Sequence, residues 1–250
     1  MADFIIIIRP EPDASRDVAW LKRYQVPAIA VPVMQAEKRP FDLSDMAALQ
    51  AVIFTSRHAV AAIADSPAIG ALRGLPAYAV GRSTAAAARQ AGFAEVITGH
   101  GGGSGLVPLL VADLKPHAGA LLWPSATTIS FDMAASLESF GFAVERLPVY
   151  AMPAQTDIGS QLPDRLLTHS SAAVVAMSAR SIDLFSTMLR DNQLDHRRHI
   201  ITVIAASQSI AEAAGAGWAD ILLAKAARRS RLLAIATLMH RRRGLLPPAR

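Results

Sequence analysis

The chain of 250 residues contains no cysteine. That excludes thiolate nucleophiles, disulfides and thiolate metal sites. No apolar run approaches the ~20 residues of a membrane span. The apolar run Phe4–Ile8 meets Arg9-Pro10 at once, which marks a strand rather than a signal-peptide core. With no targeting segment and no cysteine, the expectation is a cytoplasmic protein with no membrane partner. There is no Gly-Lys-Ser/Thr, hence no P-loop, and neither a Gly-x-Ser-x-Gly elbow nor a clear Ser/His/Asp set. Of the histidines at 58, 100, 117, 169, 196, 199 and 240, only His196 and His199 have ligand-like spacing, within a DHRRH surface loop. Neither a metal nor any other cofactor is expected.

Net charge is small along most of the chain. Residues 225–250 carry eight Lys/Arg and no Asp/Glu, leaving 17 basic against 20 acidic side chains elsewhere, a net of −3. The overall +5 therefore belongs to the last helix and tail. No nucleic-acid-binding motif accompanies it, so a solvated helix face is expected and no nucleic-acid partner.

What is present is a nearly unbroken alternation of short apolar runs and helical spacings, which predicts α/β architecture with parallel sheets. The alternation is clearest at residues 51–93. Ala51–Phe54 reads as a strand, broken by Thr55 and Ser56, with a helix from Arg57. Tyr78–Val80 reads as the next strand. Gly81 allows a tight turn, Ser83 or Thr84 can cap a helix to Gln90, and Gly92 ends it. Strands are further expected at 4–8, 28–34, 96–98, 120–123, 172–177, 200–204 and 221–224. Helices are expected at 14–24, 106–114, 129–140, 164–169, 181–189, 207–214 and 230–240. Val144–Met152 is extended and carries Pro148, as 28–34 carries Pro32. The polar stretches 35–45 and 155–163 read as crossings.

A weak repeat underlies this order. AIAVPVM (28–34) returns as ERLPVYAM (145–152), AVIFTSRHAVAAI (51–63) as AVVAMSARSIDLF (173–185), AGFAEVIT (91–98) as AGWADILL (216–223), and SGLVPLL (104–110) as SRLLAIA (230–236). Four matches in one order predict two similar doubly wound α/β domains with a ligand cleft between them.

The candidate polar residues are Thr55, Ser56, Arg57, Gly81, Ser83, Thr84, Ser104, Gly105, Ser178 and Ser207. Each follows a strand and opens a helix. Plain capping explains any one of them, but not the convergence of so many at the carboxyl edges of two sheets, where open α/β folds bind ligands and helix N-termini favour anions. The glycine-rich loop 99–105 is either a flexible connector or a nest of backbone N–H groups for an anion. Arg9 either clamps an acidic substrate or snorkels at the sheet edge. Tyr150 is one of three tyrosines.

VIFTSRHAV (52–60) followed by AYAVGRSTAAAARQAGF (77–93) resembles the uroporphyrinogen-III synthase family. IRPEPDASR (8–16), VPV (31–33), FGFAVERLPVY (140–150) and AGWADILLAKAARRSRLLAIATL (216–238) extend the likeness over most of the chain. It departs at Ile8, where the family carries Thr before Arg-Pro. It departs again at IAASQS (204–209), which lacks the Gly and Thr of AVGRST (79–84). The resemblance implies two α/β domains joined by two extended linkers. One would be discontinuous, residues 1–34 plus 153–250. The other would be inserted, residues 35–152, with its return linker near 144–152.

The implied chemistry needs no cofactor. Hydroxymethylbilane, a linear tetrapyrrole polycarboxylate, loses its terminal hydroxyl to give an azafulvene. That carbon attacks the substituted position of the last ring. A spiro intermediate then fragments and recloses with ring D inverted, giving uroporphyrinogen III, whereas the unassisted substrate closes to isomer I. The family carries a tyrosine after valine at position 150, so the resemblance makes Tyr150 the catalytic candidate. Arg9 and the hydroxyl and glycine positions above become substrate-binding. A monomer is expected, with domain closure excluding water. Two other classes fit the sequence, a non-catalytic two-domain binder of polycarboxylates and, more weakly, a basic-tailed interaction protein.

Overall fold

The computed structural model describes residues 2–43, 48–67, 69–100 and 102–242. They fall into two compact units, one within 1–35 and 153–250, the other within 36–152. The first unit opens with β1 (Phe4–Ile7), α1 (Asp13–Arg23) and β2 (Ala28–Ala30). The second contributes β3 (Glu37–Lys38), β4 (Leu49–Phe54), α2 (Arg57–Ala64), α3 (Ile69–Leu72), β5 (Ala77–Ala79) and α4 (Arg82–Gln90). It continues with β6 (Val96–Thr98), α5 (Val107–Asp113), β7 (Ala120–Ala126), α6 (Met133–Glu138) and β8 (Val144–Ala151). The chain then returns to the first unit with α7 (Gln161–Thr168), β9 (Ala172–Ala176), α8 (Ala179–Asp191) and a 3-10 turn at Asp195–Ile200. It closes with β10 (Ile201–Ala205), α9 (Gln208–Ala214), β11 (Asp220–Leu223) and α10 (Arg229–Arg241).

The first unit is a parallel sheet in the order β11-β10-β9-β1-β2. The second is ordered β3-β8-β7-β4-β5-β6, parallel except for the short β3. With β3 set aside, β8-β7-β4-β5-β6 and β2-β1-β9-β10-β11 are one topology entered at different points. The matched pairs β2 and β8, β9 and β4, and β11 and β6 fall at equivalent places in the two orders, so the four sequence matches mark a duplicated unit with a circular shift.

Burial of a parallel sheet on both faces requires continuous apolar strands. In β4 the period-2 alternation divides them. Val52 and Phe54 join a cluster with Ala59, Ile63, Ala88 and Phe93. Ala51 and Ile53 join another with Leu106, Leu110, Trp123 and Leu137. Helices α2, α3 and α4 thus cover one face, α5 and α6 the other. Gly92 ends α4 in the left-handed region, φ +94, a conformation that favours glycine.

Several expectations are corrected. Residues 144–151, expected to be extended, form strand β8, paired with β7 and β3. Pro148 is tolerated there because the register slips beside it: Ser125 pairs with Pro148 but Ala126 with Tyr150, leaving Val149 as an extra residue. Strand β7 runs past Trp123 to Ala126, through Pro124. It can do so because its pairing with β4 ends at Leu122. The helix expected at 129–140 shrinks to α6, since Asp132 caps it by accepting from the Ala135 amide at 3.1 Å. Helix α4 is capped by Gly81, and neither Ser83 nor Thr84 makes a capping bond. Among the described residues, no helix is long and apolar enough to cross a membrane. Of the basic run 225–250, residues 243–250 lie outside the described residues, as do residues 44–45 of the polar crossing and Gly101 of the glycine-rich loop.

Candidate active site

The strand order of the second unit reverses between β4 and β7. At such a switch point neighbouring connections leave on opposite faces, and a crevice opens at the carboxyl ends of the strands. A pocket of about 340 Å³ occupies that position. Thr55 and Ser56 enter it from the end of β4, Trp123 and Ala126 from β7, and Tyr150 from β8. The loop 128–131 and the backbone of Gly102 and Gly103 complete the wall.

Each hydroxyl has a defined setting. Ser56 is the N-cap of α2, its Oγ accepting from the His58 amide at 3.1 Å. Ser56 and Tyr150 line the same pocket. Tyr150 is buried, and desolvation raises its pKa above the ordinary phenol value, with the nearby Ser56 hydroxyl pulling the other way. The phenol thus stays protonated as a donor. The imidazole of His58 packs against it with centroids 5.9 Å apart. Thr55 Oγ1 accepts from Trp123 Nε1 at 3.2 Å, which leaves the threonine proton for a ligand.

The register slip in β8 is what aims Tyr150. Regular alternation sends consecutive residues to opposite faces. Here Val149 and Tyr150 belong to the same cluster as Phe54 and Ile63. The Tyr150 carbonyl is held by the Thr127 amide at 2.8 Å. Gly103 is required by close approach, because a Cβ there would lie 2.6 Å from the Phe131 ring.

Of the predicted residues, Thr55, Ser56 and Tyr150 line this pocket. Arg57 begins α2 beside it, while Gly81 serves as the α4 cap. Ser83 is exposed, Thr84 is buried in the core-facing side of α4, and Ser104 is exposed beside Gly105, past the pocket-lining glycines. Arg9, Ser178 and Ser207 belong to the first unit. Ser178 caps α8, accepting from the Ser181 amide at 3.1 Å, and Ser207 bonds Ser209 at 3.0 Å. Arg9 is engaged by Asp13 and by Asp17, the latter at 3.1 Å, and Asp17 also holds Arg229. Gly102 and Gly103 lie in the glycine-rich loop read as a possible anion nest, whereas Trp123, Thr128 and Ser130 were not among the expected site residues. The one signal for Trp123 was a strand ending Trp-Pro-Ser-Ala (123–126), whose proline marks a break in pairing.

A larger pocket, about 580 Å³, lies in the first unit among Ser170, His199, Thr202 and Asp220. These residues stand at the amino ends of β9, β10 and β11, away from the helix N-termini that gather at the opposite edge. Size alone does not make it the site. Among the described residues no group of three or more His, Cys, Asp or Glu is placed to hold a metal ion. His199 Nδ1 is bonded to the His196 carbonyl at 2.6 Å.

A family model described as uroporphyrinogen-III synthase HemD matches residues 15–234. Among solved structures, the chain is similar to the uroporphyrinogen-III synthetase of Helicobacter pylori. The two are 18% identical over 96% of this chain and 100% of that one, with a TM-score of 0.65. It is also similar to a mutant uroporphyrinogen III synthase of the extremely thermophilic bacterium Thermus thermophilus, 17% identical over 98% of this chain and 99% of that one, TM-score 0.53. These two likenesses concern the fold. No curated protein matches the chain in sequence.

Proposed function

The chain belongs to the uroporphyrinogen-III synthase family, and from that premise we propose how its second unit serves the family's reaction, closure of hydroxymethylbilane to uroporphyrinogen III with ring D inverted in haem biosynthesis. The pocket takes one end of the linear tetrapyrrole, the end that bears the departing hydroxyl. Tyr150 donates its phenolic proton in a hydrogen bond to that hydroxyl. The carbon–oxygen bond breaks, the ring nitrogen supplies the electron pair and releases its proton, and water leaves. Thr55 and the amides of Gly102 and Gly103 hold substrate carboxylates at the same edge, where helix N-termini favour negative charge.

The observation that carries this reading is the convergence of Tyr150, Thr55 and Ser56, the last fixed by the His58 amide, on one 340 Å³ pocket. A fixed donor is what the first step needs. A fixed grip on the carboxylates is what inversion needs, because the product isomer is decided by which ends of the chain meet. Ser178 and Ser207, in the first unit, are proposed as substrate-binding residues. Arg9 is proposed to act mainly on stability. The chain is proposed to work as a cytoplasmic monomer without nucleic-acid or membrane partners.

Tyr150→Phe tests the assignment. Turnover should fall by about 10²-fold or more, as for loss of a proton-transfer group, while the thermal midpoint changes little. Wild-type turnover in a folded Tyr150→Phe protein removes Tyr150 from the mechanism.

A further inference from the structure

Arg146 stands on β8 on the approach to Tyr150, and its side chain is exposed. An exposed arginine on a sheet ordinarily extends into water and contributes little. Arg146 instead turns onto the end of β7. Its Nε donates to Ser125 Oγ at 3.1 Å, and its Nη2 donates to the carbonyl oxygens of Ala126 at 3.0 Å and Thr127 at 2.8 Å. Its Cζ lies 5.7 Å from the centroid of the Trp123 ring. None of these partners is a carboxylate. All of them fall within residues 123–127.

That short segment is where the pocket is built. Its pairing with β4 has already ended at Leu122, and its pairing with β8 slips after Ser125. The ladder therefore holds residues 123–126 from the β8 side alone, and with a slip in register, at the point where placement matters most. Trp123 orients the Thr55 hydroxyl, and the Thr127 amide holds the Tyr150 carbonyl. A guanidinium is the side chain whose planar fork reaches two carbonyls and a hydroxyl together while its face covers an indole.

We infer that Arg146 is a positioning residue for the ring-inverting closure, locking residues 123–127 so that the hydroxyls of Thr55 and Tyr150 keep their spacing. The inference rests on the assignment of those two hydroxyls to the reaction. Its consequence is fidelity. When the pocket wall loosens, some bound chains close without inversion, and isomer I appears among the products.

The test compares Arg146→Met and Arg146→Lys with the wild-type full chain on fresh hydroxymethylbilane, separating uroporphyrin I from III after oxidation. Arg146→Met is expected to lower kcat about tenfold, the scale of a small misplacement of a reacting group. KM should stay within about twofold, and the share of isomer I should rise. Lysine, a point donor without the fork, is expected to recover less than half of the loss. With Trp20 and Trp218 replaced by phenylalanine, the emission of Trp123 should shift on Arg146→Met. A stability clamp with no part in the reaction would lower the thermal midpoint and leave kcat and isomer ratio at wild type, and that result overturns the inference. A change in KM alone overturns it too. Should Arg146→Met fail to fold, Arg146→Lys carries the same comparison. Tyr150→Phe is run alongside. If it keeps wild-type turnover, the site assignment fails. If it loses turnover while the Arg146 variants do not, only the role of Arg146 fails.

Discussion

Trp123 Nε1 donates to Thr55 Oγ1 at 3.2 Å, across the place where β7 and β4 have ceased to pair. One side-chain bond thus replaces the backbone ladder at the mouth of the site. It also settles which partner of Thr55 is supplied by the protein and which is left for substrate. Trp123→Phe keeps most of the buried ring and deletes the donor. Kinetics should show a several-fold fall in kcat/KM. Urea unfolding should show a loss of about 1–2 kcal/mol, from one hydrogen bond and a small void.

Alkaline pH separates two buried tyrosines from the rest. Burial raises Tyr150 above the ordinary phenol value. Tyr78 is raised further by burial and by Asp113, whose carboxylate accepts its hydroxyl at 3.2 Å. A raised native pKa favours the protonated form on folding. The associated stability is whole below the unfolded value of about 10 and is lost as pH climbs through the native values. Unfolding free energy should therefore hold between about pH 8 and 9.5 and fall beyond about pH 10.5. Replacing both tyrosines by phenylalanine should flatten that fall. Turnover should show no alkaline decline from Tyr150 below about pH 10.

Gly103 lets the loop after β6 lie against Phe131. Gly103→Ala places a methyl group on the ring and forces it aside. Overpacking of this kind costs about 1–2 kcal/mol where it cannot relax. Because Phe131 lines the pocket, KM should rise more than stability falls. Phe131→Leu in the same chain should restore much of the affinity, as read by substrate titration.

Asp17 is buried, 1% of its side chain exposed, between Arg9 and Arg229. Asp17→Ala leaves two arginines without that carboxylate and should cost about 3 kcal/mol. Arg229→Ala, at a side chain 40% exposed, should cost only about 1 kcal/mol. Arg9→Met should lower the thermal midpoint more than it raises KM. The opposite ranking would return Arg9 to the substrate.

The alternation of strands and helices was legible because a parallel sheet buried on both faces demands unbroken apolar runs, as in Phe4–Ile8 and Ala51–Phe54. The duplicated order was legible because the same junctions recur after both sets of strands. The extended run 144–152 was legible, but its pairing as β8 was not. Pro148 spoke against pairing, and nothing local reveals that the partner strand slips one residue beside it. Trp123 was missed for a related reason. Its role depends on Thr55, which is distant in sequence and reached only once β7 and β4 lie side by side. Thr55, Ser56 and Tyr150 could be named individually. Their assembly into one pocket, and the exclusion of buried Thr84 from it, are properties of packing. Arg146 carried no sequence signal, since its partners are mostly backbone carbonyls.

The most direct test is the isomer composition formed by the wild-type chain. Fresh hydroxymethylbilane is supplied, the products are oxidised, and uroporphyrin I and III are separated. The account predicts mostly isomer III, formed well above the spontaneous rate. Isomer I alone, at the spontaneous rate and from a folded protein, would contradict it.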